Sequence, residues 1–270
     1  MSSYAVIGKP VAHSKSPEIH RLFAKETEQD MSYVAIEVEE DNFVSFVTKF
    51  FDDGGQGLNI TVPYKEKAFA LAQHCSPRAE LARAVNTLYK DERGRLCGDN
   101  TDGAGLVNDI RTNHCFEIRN RSILILGAGG AVRGALASLI EEQPESITIA
   151  NRTVSRAQQI QSEFFDLFDV SAISYEDLQD QQFDLIINGT SLSLDNQLPA
   201  IPSSIISSNC CCYDMMYGHS DTVFASWCKT NGATIALDGL GMLVEQAAEA
   251  FNIWRSVRPS TAPVIEKLRG

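Results

Sequence analysis

Apolar residues along this chain follow two rhythms that take turns. Short apolar runs closed by Gly, Asn, Asp or Pro alternate with longer stretches in which apolar residues return every three or four positions. The short runs predict strands over 4–7, 31–38, 57–62, 84–89, 122–126, 146–150, 183–188, 210–213 and 233–237. The helical rhythm predicts a helix over 41–51 that buries Phe43, Val47 and Phe50 or Phe51, and one from Val154 that buries Ala157, Ile160 and Phe164. Further helices are expected from Pro17 with Ser16 as N-cap, from Lys65, after Pro77, from the region of Asp102 to about Asn113, and around 222–229. One over 131–140 turns Leu136, Leu139 and Ile140 inward. A long helix from Gly241 buries Leu243, Ala247, Ala250 or Phe251, and Trp254, and a last one falls between Pro259 and Arg269.

Strands alternating with helices give an α/β fold, and from residue 122 the regular alternation gives a doubly wound parallel sheet. The turn formers between Leu96 and Gly105 mark a domain boundary, with Gly98, Gly103 and Gly105 able to act as hinges. Residues 1–102 are therefore expected to form one domain and 103–237 another.

The second half is organised around Ser122-Ile-Leu-Ile-Leu-Gly127-Ala128-Gly129-Gly130-Ala131 and, downstream, Asn151-Arg152-Thr153. Four apolar residues bounded by glycine read as a buried parallel strand. The glycines turn the chain sharply and let backbone N–H groups approach a pyrophosphate at the start of the next helix. Val132 stands where the Gly-x-Gly-x-x-Gly fingerprint has its third glycine, so the case rests on the whole strand–helix–strand unit, of Rossmann type. At the end of the second strand an NAD site carries an acid for the ribose 2′-OH; Asn151 and Arg152 here suit a 2′-phosphate instead. An Arg–phosphate pair contributes about 1.5–3 kcal/mol, or roughly ten- to hundredfold in affinity, which selects NADP(H). Strand ends also bring Asn188 and Asp214 to this edge.

Composition narrows the partners. A net charge of −12 argues against nucleic acid and anionic membranes, so an anionic ligand must be held by local basic groups. No run approaches the ~18 apolar residues of a membrane helix, and Met1-Ser-Ser leads directly into a strand without a charged leader. The seven cysteines lack metal-type spacing and the five histidines are scattered, so no metal site is expected. Cys210-Cys211-Cys212 read as reduced thiols in a buried strand, consistent with a cytoplasmic location.

The first half holds the polar candidates. Ser14 and Ser16 precede Pro17, where Ser16 serves as a cap or the two hydroxyls face an anion; Ser14 has no capping duty of its own. Asn59 and Thr61 share one strand face by period-two spacing. Lys65 opens a helix, where a cation opposes the dipole and so suggests a task. On its own Asn86 reads as a strand-edge polar residue, and Asp102 as the N-cap of the helix that follows.

Ser14-Lys-Ser16-Pro17, Asn59-Ile-Thr61-Val-Pro-Tyr-Lys65, Ala84-Val-Asn86-Thr87 and Gly98-Asp-Asn-Thr-Asp102-Gly103 occur in that order. Gly127-Ala-Gly-Gly-Ala131, Asn151-Arg152-Thr153, Asn188-Gly-Thr190-Ser191, Asp214-Met215-Met-Tyr217 and Asp238-Gly239-Leu-Gly-Met242-Leu-Val-Glu-Gln246 follow. With these nine motifs the chain resembles the shikimate dehydrogenases over essentially its whole length. The resemblance implies reversible NADPH-dependent reduction of 3-dehydroshikimate to shikimate, on the route to chorismate and the aromatic amino acids. It implies that Lys65 and Asp102 are the catalytic pair. Ser14 and Ser16 would hold the substrate carboxylate, and Asn59, Thr61, Asn86, Tyr217 and Gln246 would surround the ring. The cofactor residues would be Gly127, Ala128, Gly129, Gly130, Ala131, Asn151, Arg152, Thr153, Arg156, Thr190, Ser191, Met215, Gly239 and Met242. It further implies that 238–270 completes the N-terminal substrate-binding domain.

Hydride arriving at a ketone carbon leaves negative charge on oxygen, which a neighbouring ammonium stabilises and protonates. Two positions depart from the family pattern, His219 and Gly189, both in cofactor-side loops. A quinate/shikimate dehydrogenase of relaxed specificity and a non-catalytic NADPH-binding regulator are the competing readings. Monomer and homodimer are both compatible with the sequence.

Overall fold

A computed structural model describes residues 1–270 other than Ser208. The chain runs β1 (Ser2–Gly8), α1 (Ser16–Glu26), β2 (Met31–Glu37), α2 (Phe43–Asp52), β3 (Gly57–Ile60), α3 (Lys65–Leu71), β4 (His74–Cys75), α4 (Pro77–Ala82), β5 (Thr87–Lys90), β6 (Leu96–Asp99) and α5 (Asp102–Asn108). It continues with β7 (Ser122–Leu126), α6 (Gly130–Glu141), β8 (Ser146–Ala150), α7 (Val154–Phe164), β9 (Val170–Ile173), β10 (Phe183–Asn188), β11 (Ile206–Asp214), α8 (Val223–Thr230) and β12 (Ile235–Leu237). α9 (Leu240–Arg255) and α10 (Ala262–Arg269) close it. Two compact units result: Met1–Gly105 together with Leu243–Gly270, and Leu106–Met242. The chain leaves the first unit within α5 and re-enters it within α9.

The first unit is built on a mixed sheet, in the order β2-β1-β3-β5-β6-β4. β1 pairs in parallel with both β2 and β3, whereas β5 is antiparallel to β3 and to β6. α2 buries Phe43, Val47 and Phe51 in one core that also holds Leu58, Tyr64 and Leu88; Phe50 packs at its margin. A second core joins Ile19, Phe23 and Ala24 of α1 to Val244, Ala247, Ala248 and Phe251 of α9 and Val264 of α10. Residues far apart in sequence thus complete one unit.

The second unit carries a parallel sheet in the order β12-β11-β10-β7-β8-β9. The reversal between β7 and β10 is the doubly wound topology that binds dinucleotides at strand carboxyl ends. Leu126 is in register with both Ala150 and Asn188, and Asn188 with Asp214, so the following residues emerge along one edge. α7 buries Ala157, Ile160 and Phe164, as its spacing predicts.

Several local expectations change. Leu96–Asp99 is a strand rather than a turn-rich boundary, because Cys97, Gly98 and Asp99 are buried in the sheet. A Cβ on Gly98 would come within 2.6 Å of Val85, so that glycine answers to packing. α9 buries Ala247, Ala250 and Phe251 as expected and adds Val244 and Ala248, while Leu243 packs only against the core's margin and Trp254 is half-buried. β9 has no counterpart among the sequence expectations, and β11 is longer than expected. α1 begins at Ser16 with Lys15 preceding it, so Ser16 is not the N-cap. The Ser16 N–H donates instead to Ser14 Oγ at 3.2 Å, which gives Ser14 the duty that the sequence withheld.

Candidate active site

In the first unit the polar candidates form one connected array. Lys65 opens α3 and Asp102 opens α5; Lys65 Nζ donates to Asp102 Oδ2 at 2.6 Å, with the side chains 30% and 14% exposed. A lysine misplaced against the helix dipole is explained by a carboxylate placed to receive it. The second carboxylate oxygen, Oδ1, accepts from Asn86 Nδ2 at 2.8 Å. Asn86 sits just before β5 and is buried. Its Oδ1 accepts from the Thr101 N–H (2.9 Å) and the Thr87 hydroxyl (2.9 Å). The Asp102 N–H donates to Asn100 Oδ1 at 3.1 Å, which fixes the start of α5. Both catalytic candidates are thereby held by the protein's own groups.

Asn59 is equally committed: its Nδ2 donates to the Asn86 carbonyl and to Thr87 Oγ1, each at 3.1 Å, and its Oδ1 accepts from the Tyr33 hydroxyl at 2.7 Å. Gln246 faces the same array from α9, its Oε1 3.4 Å from Thr101 Oγ1 and 3.5 Å from Asn86 Nδ2. Ser14 is half-buried and Ser16 buried at the start of α1, while Thr61 is half-buried after β3. Tyr217 belongs to the other unit, half-buried beyond β11, where burial pushes its phenol pKa up.

In the second unit the turn after β7 is open. Gly127 has φ +103, a left-handed conformation that glycine adopts without strain. Among the described residues, Gly129 and Gly130 have no atom beyond their own chain neighbours and helix backbone within 4 Å of where a Cβ would lie, and Gly129 precedes α6 without a side-chain cap. Bare N–H groups at a helix start with free space before them fit a pyrophosphate. Ala128 is half-buried and Ala131 exposed on this turn. Beyond β8, Asn151 donates to the Thr153 carbonyl at 2.8 Å and shapes the turn. Arg152 and Arg156 are exposed and enter no ion pair among the described residues, leaving both guanidiniums for an anion.

The same edge is braced by Asp214, fully buried at the end of β11. Its carboxylate accepts from Asn188 Nδ2 (3.1 Å), the hydroxyls of Ser193 (2.6 Å) and Thr222 (2.7 Å), and the Met216 N–H (3.0 Å). Burial nevertheless raises its pKa, against those hydrogen bonds. Asn188 Oδ1 in turn accepts from both the N–H and the hydroxyl of Thr190, ordering the loop that leads into Ser191. Gly239 lies so close to Met215 that a Cβ would fall 2.2 Å from the Met215 carbonyl oxygen, and the Met242 N–H donates to the Tyr213 hydroxyl at 3.3 Å.

Gly189 answers to packing. A Cβ there would meet Val132 Cγ2 at 2.5 Å. Val132, which fills the place of the fingerprint's third glycine, is fully buried, and Gly189 yields the room it takes. Residues the sequence reading missed include Thr87, Thr101 and Tyr33. The first two lie inside quoted motifs, whereas Tyr33 carries no signal beyond its period-two position in β2.

A dinucleotide-type sheet with an open glycine turn, joined to a unit that carries an aligned lysine–carboxylate pair, defines the class of NAD(P)-dependent dehydrogenases. Family models match as the shikimate dehydrogenase substrate binding domain over residues 6–88, shikimate / quinate 5-dehydrogenase over 110–195, and the shikimate 5′-dehydrogenase C-terminal domain over 239–269. The NADP(+)-dependent shikimate dehydrogenase of Aeromonas salmonicida is 53% identical over 269 residues, covering 100% of this chain and 98% of that protein. Among solved structures, an Ael1 enzyme from Pseudomonas putida is 45% identical with TM-score 0.95, covering 99% of this chain and 98% of its own. The shikimate 5-dehydrogenase of Thermus thermophilus, solved with NADP(H) and shikimate, is 30% identical with TM-score 0.87 and covers 100% and 99%. The chain belongs to the shikimate dehydrogenase family.

Proposed function

We propose that this chain catalyses the reversible reduction of 3-dehydroshikimate to shikimate with NADPH, using Lys65 as general acid and base and Asp102 as its partner. The observation that carries the assignment is the 2.6 Å contact of Lys65 Nζ with Asp102 Oδ2, made while Asn86 occupies the other carboxylate oxygen. Bound NADPH supplies the hydride. Lys65 stabilises the charge that develops on the carbonyl oxygen and delivers the proton; in the oxidising direction it accepts that proton. Asp102 orients the ammonium and the substrate hydroxyl. Ser14 and Ser16 bind the substrate carboxylate, and Asn59, Thr61, Asn86, Tyr217 and Gln246 surround the ring. We assign the unit formed by Met1–Gly105 and Leu243–Gly270 to substrate and the unit Leu106–Met242 to cofactor.

Gly127, Ala128, Gly129, Gly130 and Ala131 fit the pyrophosphate. Asn151, Arg152, Thr153 and Arg156 fit the adenosine ribose and its 2′-phosphate, and Thr190, Ser191, Met215, Gly239 and Met242 line the remaining cofactor edge. No helix among the described residues is long and apolar enough to cross a membrane. We assign the enzyme to the cytoplasm, as a monomer or homodimer.

The test is the initial rate of cofactor reduction with shikimate and with quinate, each offered with NADP and with NAD. A rate chiefly with shikimate and NADP is expected. Comparable rates with quinate or NAD would mean relaxed specificity. No rate in protein that still binds NADPH would make it a regulator and overturn the assignment.

A further inference from the structure

The array around Lys65 and Asp102 does not end at the residues assigned to substrate. A continuous path of hydrogen bonds leads outward: Asp102 Oδ1 accepts from Asn86 Nδ2, Asn86 Oδ1 accepts from the Thr87 hydroxyl, and Thr87 Oγ1 accepts from Asn59 Nδ2. At its far end Asn59 Oδ1 accepts from the Tyr33 hydroxyl at 2.7 Å. Each donor leaves the next group a single useful orientation. Because Asn59 Nδ2 also donates to the Asn86 carbonyl, its Oδ1 must face Tyr33, and the phenol must donate.

Tyr33 is itself held. Its ring stacks on that of His20, with centroids 4.1 Å apart and planes 8° from parallel. His20 is fully buried among Phe23, Phe251 and Trp254, one helical turn after Ser16 on α1. Burial outweighs the neighbouring Asn59 side chain and keeps the imidazole uncharged, so His20 serves as a flat neutral surface for the phenol. Burial raises the Tyr33 pKa, with the nearby Ser16 hydroxyl opposing, and the phenol keeps its proton.

We propose that Tyr33 is a positioning residue for the reaction: through Asn59 and Thr87 it fixes the Asn86 amide that aligns Asp102 with Lys65. The proposal rests on the assignment of Lys65 and Asp102 to catalysis.

Tyr33→Phe and Thr87→Val each remove one hydroxyl from opposite sides of Asn59. Each is expected to lower kcat for shikimate oxidation about tenfold, the worth of one hydrogen bond to a buried group. KM for NADP should stay within twofold, and the NADPH-binding stoichiometry should equal that of the unaltered protein. Since both act along one path, the double variant should lose little more than either single one. A merely structural role would lower the thermal midpoint and leave kcat per binding-competent molecule unchanged; that result would overturn the proposal, as would additive losses in the double variant. If Tyr33→Phe does not fold, full kcat in Thr87→Val overturns it alone. Lys65→Ala, assayed in parallel, separates the two failures: if that change spares turnover, the catalytic assignment falls, whatever Tyr33 does.

Discussion

The two units prepare for their ligands in opposite ways. In the first, the polar side chains are bound to one another: Lys65, Asp102, Asn86, Thr87, Asn59 and Tyr33 leave little rotational freedom. In the second, the groups suited to the cofactor stand open, with exposed arginines, uncapped N–H groups and bare glycines. The buried bracing there, centred on Asp214, lies beneath the edge rather than in it. Proton transfer requires placement to within a fraction of an ångström, which a closed network supplies. Charge attraction to a phosphate tolerates looser geometry and gains from an exposed, uncommitted cation.

The contrast predicts different kinetic signatures on the two sides. Lys65→Ala should cut kcat by roughly 10²–10⁴-fold while sparing KM for NADPH. Steady-state rates with both substrates varied would show this, and near-normal turnover would remove Lys65 from the chemistry. Arg152→Ala should do the converse, raising KM for NADPH by roughly ten- to hundredfold with kcat held. Added salt should mimic part of that loss, since an exposed ion pair is screened. If Arg152→Ala instead lowers kcat alone, the openness of the second unit has been misjudged.

The closed network also carries a cost that pH exposes. Burial depresses the His20 pKa to about 3, from an ordinary value near 6.5. The unfolded chain therefore binds a proton that the folded chain refuses. His20's contribution is fully present above about pH 6.5 and is lost as pH falls toward 3, at no more than about 1.4 kcal/mol per pH unit. His20→Phe should flatten the thermal midpoint across that window. A midpoint that falls with acid equally in both proteins would refute the linkage.

The smallest effect concerns fit in the second unit. Gly189→Ala should cost about 1–3 kcal/mol by crowding Val132, lowering the thermal midpoint by a few degrees. Val132→Ala in the same chain should restore most of it. Equal losses with and without the Val132 change would show that the two do not share that space.

Much of this was legible in the sequence. The second unit's strands and the stripe on α7 follow from periodicity, because parallel strands covered on both faces are continuous apolar runs. β9 escaped because Val170–Ile173 is short and carries an exposed Ser171. β6 escaped because Cys97-Gly98-Asp99 has the composition of a turn, whereas its burial depends on Val85 from elsewhere in the chain. The nine motifs located the candidate side chains, and the Lys65 contact with Asp102 spans 37 positions that no local rule connects. Tyr33 stayed hidden for the same reason, since an aromatic residue in a strand reads as core until its hydroxyl finds Asn59.

The discontinuous first unit has a consequence for synthesis. α1 packs on α9 and α10, and Arg255 bonds Gln29 and Ser2, so residues of the first thirty positions await partners made more than two hundred positions later. The Rossmann-type unit, continuous in the chain, can fold while translation proceeds; the other unit cannot close until residues 243–270 have been made. At ordinary elongation rates that delay is on the order of ten seconds. During it, the apolar face of α1 that Val244, Phe251 and Val264 will cover has only other parts of the nascent chain, or a chaperone, to shelter it.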